Sequence, residues 1–325
     1  MAIERAKIKR ILVITLSNVG DVILTTPVIA TLAKEFPGAR IDVMVGPRGK
    51  EVFEKDPRVF KLIIYDKHLP ISAKRRLQLK LKKLRYDLVA DLRNTVFPLL
   101  IAPKHRTSAM QRFPAHVVHS MDKHLYKLHA LGLTEPERKS YLYIPQKDTA
   151  FVEQLIKDET ISTPTILINP GAKSHLKRWT PEGFAAVADS LIGECKADVV
   201  FIGLEEDRAI VADIIGKMKN KCHDLVGKTN LRQLAELLKR SKLIITNDSA
   251  PLHLGCAVGA NVLAIFGPTD PKKYGPTGEF DTVISKKLHC SPCESATCAY
   301  NYECMTSINP DEVFDAAKMM IEGYE

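Results

Sequence analysis

The stretch LIITNDSAPLHLGCAVGANVLAIF, from Leu243 to Phe266, carries the clearest structural signal in the chain. An apolar run over Leu243–Thr246 precedes a helical pattern over Pro251–Val258, and a second apolar run, Asn261–Phe266, follows. A short strand, a helix and another short strand in this order predict a βαβ unit, whose strands lie parallel in one sheet. The stretch therefore indicates an α/β fold.

The same alternation extends along the chain in two blocks. The other predicted strands are Arg10–Leu16, Ile41–Val45, Lys61–Tyr65, Leu88–Asp91, Thr165–Asn169 and Asp198–Ile202. The other predicted helices are Pro27–Phe36, Pro181–Cys195, Arg208–Lys219, Leu231–Arg240 and Pro310–Tyr324. We therefore expect two Rossmann-like domains, at residues 1–150 and 151–308, with the boundary near 145–163 and a tail helix at 309–325. A cleft between two such domains is suited to holding two substrates.

The formal net charge of +9 is unevenly distributed along the 325 residues. Residues 1–150 contain 28 Lys and Arg against 14 Asp and Glu, whereas the remainder contains 19 against 24. This imbalance favours an anionic partner for the first half, and a solvated basic face is the alternative. A nucleic-acid partner is not expected, because no RNA-binding aromatic pattern, zinc-finger spacing or helix-turn-helix accompanies the charge.

The longest apolar runs, such as Ile11–Leu16, are too short to cross a bilayer. The basic N-terminus is not followed by a small-residue cleavage site, so no secretory signal is predicted. The expected localisation is the cytoplasm.

Two loops that follow predicted strands have the properties of a phosphate site. Lys173, Lys177 and Arg178 crowd the segment between the Thr165–Asn169 strand and the next helix, where cations suit a phosphate. Asp248 follows the Leu243–Thr246 strand.

The helix that starts after Asp248 also offers backbone donors. The N–H groups of Ser249 and Ala250 would point at a pyrophosphate, and His253 lies in the first helical turn, where core packing is the alternative. After the Asp198–Ile202 strand, Glu205 or Glu206 could hold a ribose diol. Acidic residues at a helix start are equally common as partners of the helix dipole.

The loop after the first strand contains Asp21 beside Gly20, which would permit an unusual backbone angle. Thr26 and Pro27 are predicted to cap and begin the next helix. The loop lacks the G-x-G-x-x-G pattern, so an NAD-binding fold is disfavoured. Asp21 is either a catalytic carboxylate or a helix cap.

Four motifs together resemble glycosyltransferase family 9, the ADP-heptose:lipopolysaccharide heptosyltransferases. They are Ser17-Asn-Val-Gly-Asp21 with Pro27, Asn169-Pro-Gly171 with Lys177-Arg-Trp179, Thr246-Asn-Asp-Ser-Ala-Pro-Leu-His253 and Phe266-Gly-Pro-Thr-Asp270. The resemblance spans nearly the whole chain in the right order. It implies a GT-B fold, in which an acceptor-binding domain and a nucleotide-sugar-binding domain face each other across a central cleft and a C-terminal helix crosses back.

The resemblance also implies an activity. It is inverting, metal-independent transfer of heptose from ADP-L-glycero-D-manno-heptose to the lipopolysaccharide inner core, on Kdo-lipid A or heptosyl-Kdo-lipid A, with no cofactor. An anionic membrane surface is an expected partner, reached by the basic segment 74–85 on the cytoplasmic face of the inner membrane.

The resemblance assigns roles to individual residues. Asp21 matches the general base, Lys177 the lysine at the donor phosphate and Glu205 the ribose-binding carboxylate. Asp248 matches the position that holds the heptose, with Ser249 and Ala250 at the diphosphate and His253 nearby. One departure is that Ala172, Lys173 and Ser174 replace a pair of threonines found in some members.

Seven cysteines fall into two groups. Cys195, Cys222 and Cys256 are scattered through apolar stretches and are predicted to be buried free thiols. The remaining four, Cys290, Cys293, Cys298 and Cys304, are spaced closely enough for zinc or an iron–sulfur cluster. Family members carry such cysteines without needing them for transfer, so no metal is assigned.

Two alternatives belong to other functional classes. A sugar-nucleotide epimerase or another GT-B transferase would share the fold. A non-catalytic nucleotide-sugar-binding protein would keep the Lys177 and Asp248 loops without turnover.

Overall fold

Parallel strands form one sheet in each half of the chain, within residues 3–108 and 110–323, which the computed structural model describes. The first sheet has the order β3-β2-β1-β4-β5. Its strands are β1 (Arg10–Ile14), β2 (Arg40–Val45), β3 (Lys61–Ile64), β4 (Leu88–Asp91) and β5 (His105–Arg106). Apolar side chains from Ile11 to Ile14 bury β1 at the centre, in register with β2 and β4. A strand that is buried on both faces has a continuous run of apolar residues, and such a run makes β1 easy to predict from sequence.

Helices connect these strands and cover the sheet. They are α1 (Val19–Ile23), α2 (Thr26–Glu35), α3 (Lys50–Phe53), α4 (Ile71–Lys83), α5 (Phe97–Ile101) and α6 (Ser120–Tyr126). Two local predictions were wrong. Thr25, not Thr26, is the N-cap of α2, and Gly20 lies inside α1 with an ordinary helical backbone.

The second sheet has the order β11-β10-β9-β6-β7-β8, again with parallel pairing throughout. Its strands are β6 (Thr165–Asn169), β7 (Asp198–Phe201), β8 (His223–Asp224), β9 (Leu243–Asn247), β10 (Val262–Phe266) and β11 (Thr282–Ser285). The chain builds β6, β7 and β8 in one direction and then returns to place β9 on the other side of β6. Ligands of open α/β sheets bind at the carboxyl ends of the strands at such a switch point.

The helices of the second half pack against this sheet and against each other. They are α7 (Gln146–Asp158), α8 (Pro181–Cys195), α9 (Arg208–Lys217), α10 (Leu231–Arg240), α11 (Ala250–Val258), α12 (Pro271–Tyr274), α13 (Glu303–Thr306) and α14 (Pro310–Glu322). Helix α14 packs on α8 and β9, with Val313 and Ala317 buried in the core of this half. Tyr324, placed in this helix from the sequence, lies outside the described residues.

The chain divides into two units, Met1–Tyr143 and Ile144–Glu325, just before the expected boundary region of 145–163. Helix α7 follows the division and packs on α10, where the buried Arg232 contacts Asp148 at 3.3 Å. None of the described helices is both long enough and apolar enough to span a membrane.

Candidate active site

The centre of the candidate donor site is an ion pair at the switch point between β6 and β9. The Nζ atom of Lys177 lies 2.6 Å from Oδ2 of Asp248, and the Thr269 hydroxyl donates to the same oxygen at 2.6 Å. The Asp248 side chain is only 6% exposed, whereas that of Lys177 is 30% exposed. A buried carboxylate thus holds a lysine whose cation remains accessible from solvent.

Backbone and amide contacts fix the two loops that carry this pair. The Trp179 backbone N–H donates to Oδ1 of Asn247 at 3.1 Å, and the Asn247 amide donates to the Pro170 carbonyl at 2.8 Å. The Trp179 ring is buried against Phe184, and its Nε1–H donates to the Ile308 carbonyl at 3.3 Å. Trp179 therefore packs against α8, the helix that follows it. Because Trp179 is anchored to Asn247 at the end of β9, Lys177 two residues earlier is held beside Asp248.

The N-terminus of α11 faces the same region. The Asn169 amide donates to the hydroxyls of Thr246, at 3.2 Å, and Ser249, at 3.1 Å. Ser249 is the N-cap of α11 and Ala250 its first residue, one residue before the predicted start at Pro251. The first N–H groups of a helix have no acceptor inside it and lie at the positive end of its dipole. His253 is buried in the body of this helix, consistent with core packing.

The acidic residues after β7 take two different orientations. The Glu205 carboxylate is exposed and pairs with Arg208 at 2.6 Å; the hydrogen bond from Arg208 is the main reason that the pKa of Glu205 is lowered. Arg208 also donates to the Val226 carbonyl at 2.9 Å, so it connects the start of α9 to the segment after β8. Asp207 instead turns inward and fills the space beside Gly171, where any side chain at residue 171 would overlap its carboxylate. Glu205 therefore lies on the solvent-exposed side of the segment that follows β7.

Asp21 lies in the first unit, in the first turn of α1 directly after β1. Its Oδ2 atom accepts a hydrogen bond from the Asn18 amide at 3.0 Å, and its side chain is partly exposed. The Thr15 and Thr25 hydroxyls are 2.7 Å apart and brace the connection between β1 and α2. A side chain at Gly46 would overlap Ser17, so the residue that follows β2 packs directly against the segment between β1 and α1. Contacts within the first unit therefore support the turn that carries Asp21.

Sequence reasoning did not single out Asn169 and Thr269 as site residues. Both are polar residues at the carboxyl end of a strand or just beyond it, and both lie inside motifs that were recognised. Their position is the signal that could have identified them, because switch-point residues line the ligand crevice.

Comparison with known proteins identifies the family. A sequence model described as "Glycosyltransferase family 9 (heptosyltransferase)" matches residues 93–303, which is more than half of the chain. The chain belongs to glycosyltransferase family 9. As a member of this family it is a glycosyltransferase, which confirms the resemblance seen in its motifs.

Relatives within family 9 align along most of their length. The lipopolysaccharide core heptosyltransferase OpsX of Haemophilus influenzae is 26% identical over 85% of this chain and 84% of its own. Lipopolysaccharide heptosyltransferase 2 of Escherichia coli K12 is 26% identical over 96% of this chain and 98% of its own.

A solved structure supports the fold assignment. The crystal structure of the glycosyl transferase family 9 protein from Veillonella parvula covers 99% of both chains, with 26% identity and a TM-score of 0.84. Together with the two parallel sheets, this assigns the GT-B fold class with two Rossmann-like domains.

Proposed function

We propose that this glycosyltransferase moves a heptosyl residue from ADP-L-glycero-D-manno-heptose to the inner core of lipopolysaccharide. The observation that carries the proposal is the Lys177–Asp248 pair in front of α11. An accessible lysine beside a helix N-terminus is a site for a diphosphate. The lipopolysaccharide heptosyltransferases among its relatives supply the sugar and the acceptor class.

The donor would bind with its diphosphate between Lys177 and the first amides of α11, at Ser249 and Ala250. Asp248, held by Thr269, would then accept hydrogen bonds from heptose hydroxyls. Glu205, at the end of β7, would hold the ribose diol. The lysine and the helix amides stabilise the negative charge that develops on the departing ADP, the role that a metal ion has in other transferases.

Asp21 is the base in the proposed mechanism. It removes the proton from the attacking acceptor hydroxyl while ADP leaves from the opposite face of the sugar, so the anomeric configuration inverts. The contact between the Thr15 and Thr25 hydroxyls and the hydrogen bond from Asn18 support the turn that carries this carboxylate in the first unit.

The acceptor side of the proposal rests on charge. The first 150 residues carry the excess of Lys and Arg, which suits a phosphorylated Kdo-lipid A or heptosyl-Kdo-lipid A substrate. Helix α4 exposes Lys80, Lys82 and Lys83, and also exposes the apolar side chains of Ile71 (84%) and Leu79 (50%). We propose that α4 lies on the anionic cytoplasmic face of the inner membrane, where its substrate is anchored.

Calorimetry with ADP tests the donor site. Lys177→Ala should weaken ADP binding by about tenfold or more, because a charge-assisted contact to phosphate contributes roughly 1.5–3 kcal/mol. Lys239→Ala is the matched control, since Lys239 is an exposed cation in the last turn of α10, outside the two site loops. Equal ADP affinity in wild-type and Lys177→Ala protein would contradict the donor assignment.

A further inference from the structure

The turn that carries Asp21 lies at a switch point of the first sheet. The chain builds β1, β2 and β3 in one direction and then places β4 on the other side of β1. The ends of β1 and β4 are in register, with Ile14 opposite Asp91. The loops that follow β2 and β4 therefore flank the Asp21 turn, at the edge where ligands of open α/β sheets bind.

The loop after β4 is supported by two buried charged side chains. The buried Asp91 carboxylate accepts hydrogen bonds from the backbone N–H groups of Arg93, at 2.9 Å, and Thr95, at 2.6 Å. Lys127, which is only 3% exposed, donates from Nζ to the Asp91 carbonyl at 2.9 Å and to the side-chain oxygen of Asn94. Because a buried charge is costly without such partners, these contacts favour one conformation of this loop.

The loop after β2 packs against the helix that carries Asp21. Its turn, Pro47–Gly49, contacts α1. A Cβ atom at Gly49 would approach Cγ2 of Val22, in α1, to 2.7 Å, so the backbone of the turn lies directly on that helix. Arg48 is exposed and precedes this point of contact. The Asp21 turn thus has an arginine-bearing loop on each side.

The arginines of these two loops have no acidic partner. Arg48 is exposed and Arg93 is partly exposed. Among the residues that the structure describes, neither guanidinium forms an ion pair, whereas Arg58 of the same unit pairs with Asp56 at 3.0 Å. A guanidinium binds a carboxylate or a phosphate through two parallel N–H groups. The two loops therefore suit an anionic ligand.

We propose that Arg48 and Arg93 bind an anionic group of the acceptor, a carboxylate or a phosphate, on the two sides of the Asp21 turn. This inference rests on the proposed function and deepens it by assigning acceptor-binding residues. An acidic group held there would place a nearby acceptor hydroxyl at the base, while the arginines take no part in proton transfer. They would select acidic acceptors over neutral ones.

Calorimetry with an O-deacylated, water-soluble Kdo-lipid A tests the inference on the full-length chain without donor. Arg48→Gln and Arg93→Gln should each weaken acceptor binding by about tenfold or more, because each removes a charge-assisted contact. Arg40→Gln is the matched control, since Arg40 is an exposed arginine at the first residue of β2, at the opposite edge of the sheet from Arg48. ADP affinity should equal that of the wild type in all three variants.

Two modified acceptors distinguish the possible anionic groups. One has its phosphates removed, and the other has its Kdo carboxylate converted to a methyl ester. The group that each arginine binds is the one whose removal abolishes the difference in affinity between the wild type and that arginine's variant. A difference that persists with an acceptor lacking both groups would overturn the inference.

Acceptor binding is measured without transfer, so this inference and the proposed function can fail separately. Arginine-dependent binding without ADP release after donor is added would contradict the proposed function alone. The inference is overturned if the wild type does not bind the acceptor, or if Arg48→Gln and Arg93→Gln bind it as tightly as Arg40→Gln does. An unchanged urea midpoint shows that a variant is folded. If Arg93→Gln does not fold, Arg48→Gln gives the decision.

Discussion

At the residue scale, the proposed donor site depends on how Asp248 is held. Its Oδ2 atom accepts hydrogen bonds from Lys177 and Thr269, each at 2.6 Å, in a nearly buried position. Desolvation strengthens such contacts, so the carboxylate is pre-oriented before any ligand arrives. Asp21, in the first unit, accepts a hydrogen bond from the Asn18 amide and is partly exposed, which suits the base that we propose it to be.

The first prediction concerns Asp21→Asn, which preserves shape but removes the ability to accept a proton. We expect kcat to fall by about 10²–10⁴-fold, with ADP affinity unchanged because the proposed nucleotide site lies on the second domain. Asp66→Asn, at another hydrogen-bonded carboxylate of the first domain, is the control and should keep wild-type turnover. If Asp21 serves only as a cap of α1, the Asp21→Asn protein will instead have a free energy of unfolding lower by about 1 kcal/mol. Its kcat will then equal that of the wild type.

At the element scale, α8 shows how one contact positions the site. Gly183 lies against the Trp179 ring so closely that a Cβ atom would overlap it, and that ring is fixed by Phe184 and the Ile308 carbonyl. Gly193 lies in the same helix with open space where a side chain would go. A side chain can therefore be accommodated at Gly193 but not at Gly183 unless the Trp179 ring moves.

The second prediction compares these glycines by urea unfolding. Gly183→Ala should lower the free energy of unfolding by about 1–3 kcal/mol, because the indole must move from a packed position. Gly193→Ala should be neutral or raise it by up to about 1 kcal/mol, since alanine favours a helix. Equal effects of the two substitutions would show that the Trp179 contact does not fix α8.

The same scale shows what the sequence could and could not predict. Strands β4 and β6 and helices α8 and α10 have their predicted bounds, because buried apolar runs and clear caps such as Thr180 mark them. The edge strands β5, β8 and β11 were missed, since they are short and only partly buried. Helix α1 was read as a loop because five residues are too few for a periodic signal.

The candidate site was predictable to a similar degree. Lys177 and Asp248 were recognised from their motifs, but their direct pairing depends on β6 and β9 being neighbours, which local patterns do not reveal. Cys195, Cys222 and Cys256 are free, as predicted, but only partly buried.

At the scale of the whole molecule, charge separates the two halves, with the excess of Lys and Arg in residues 1–150. Charge reversal of Lys80, Lys82 and Lys83 in α4 should therefore lower binding to vesicles of anionic lipid by more than about tenfold, at roughly 1 kcal/mol per charge near the surface. Binding should also fall as salt rises. Reversal of Lys219, Lys221 and Lys239, which are exposed in the second unit, is the control. Salt-independent binding, or an equal loss in both triple variants, would contradict a membrane role for α4.

The central claim is acceptor-dependent heptosyl transfer from an ADP-activated donor, and the release of ADP by the purified wild-type chain tests it most directly. ADP-heptose is incubated with and without a panel of Kdo-lipid A and heptosyl-Kdo-lipid A acceptors, and the product is examined by mass spectrometry and by NMR of its new anomeric bond. We predict ADP release only when an acceptor is present, with one heptose added and its configuration inverted. No release with any acceptor, release that is independent of acceptor, or epimerisation of a sugar nucleotide in place of transfer would contradict the account.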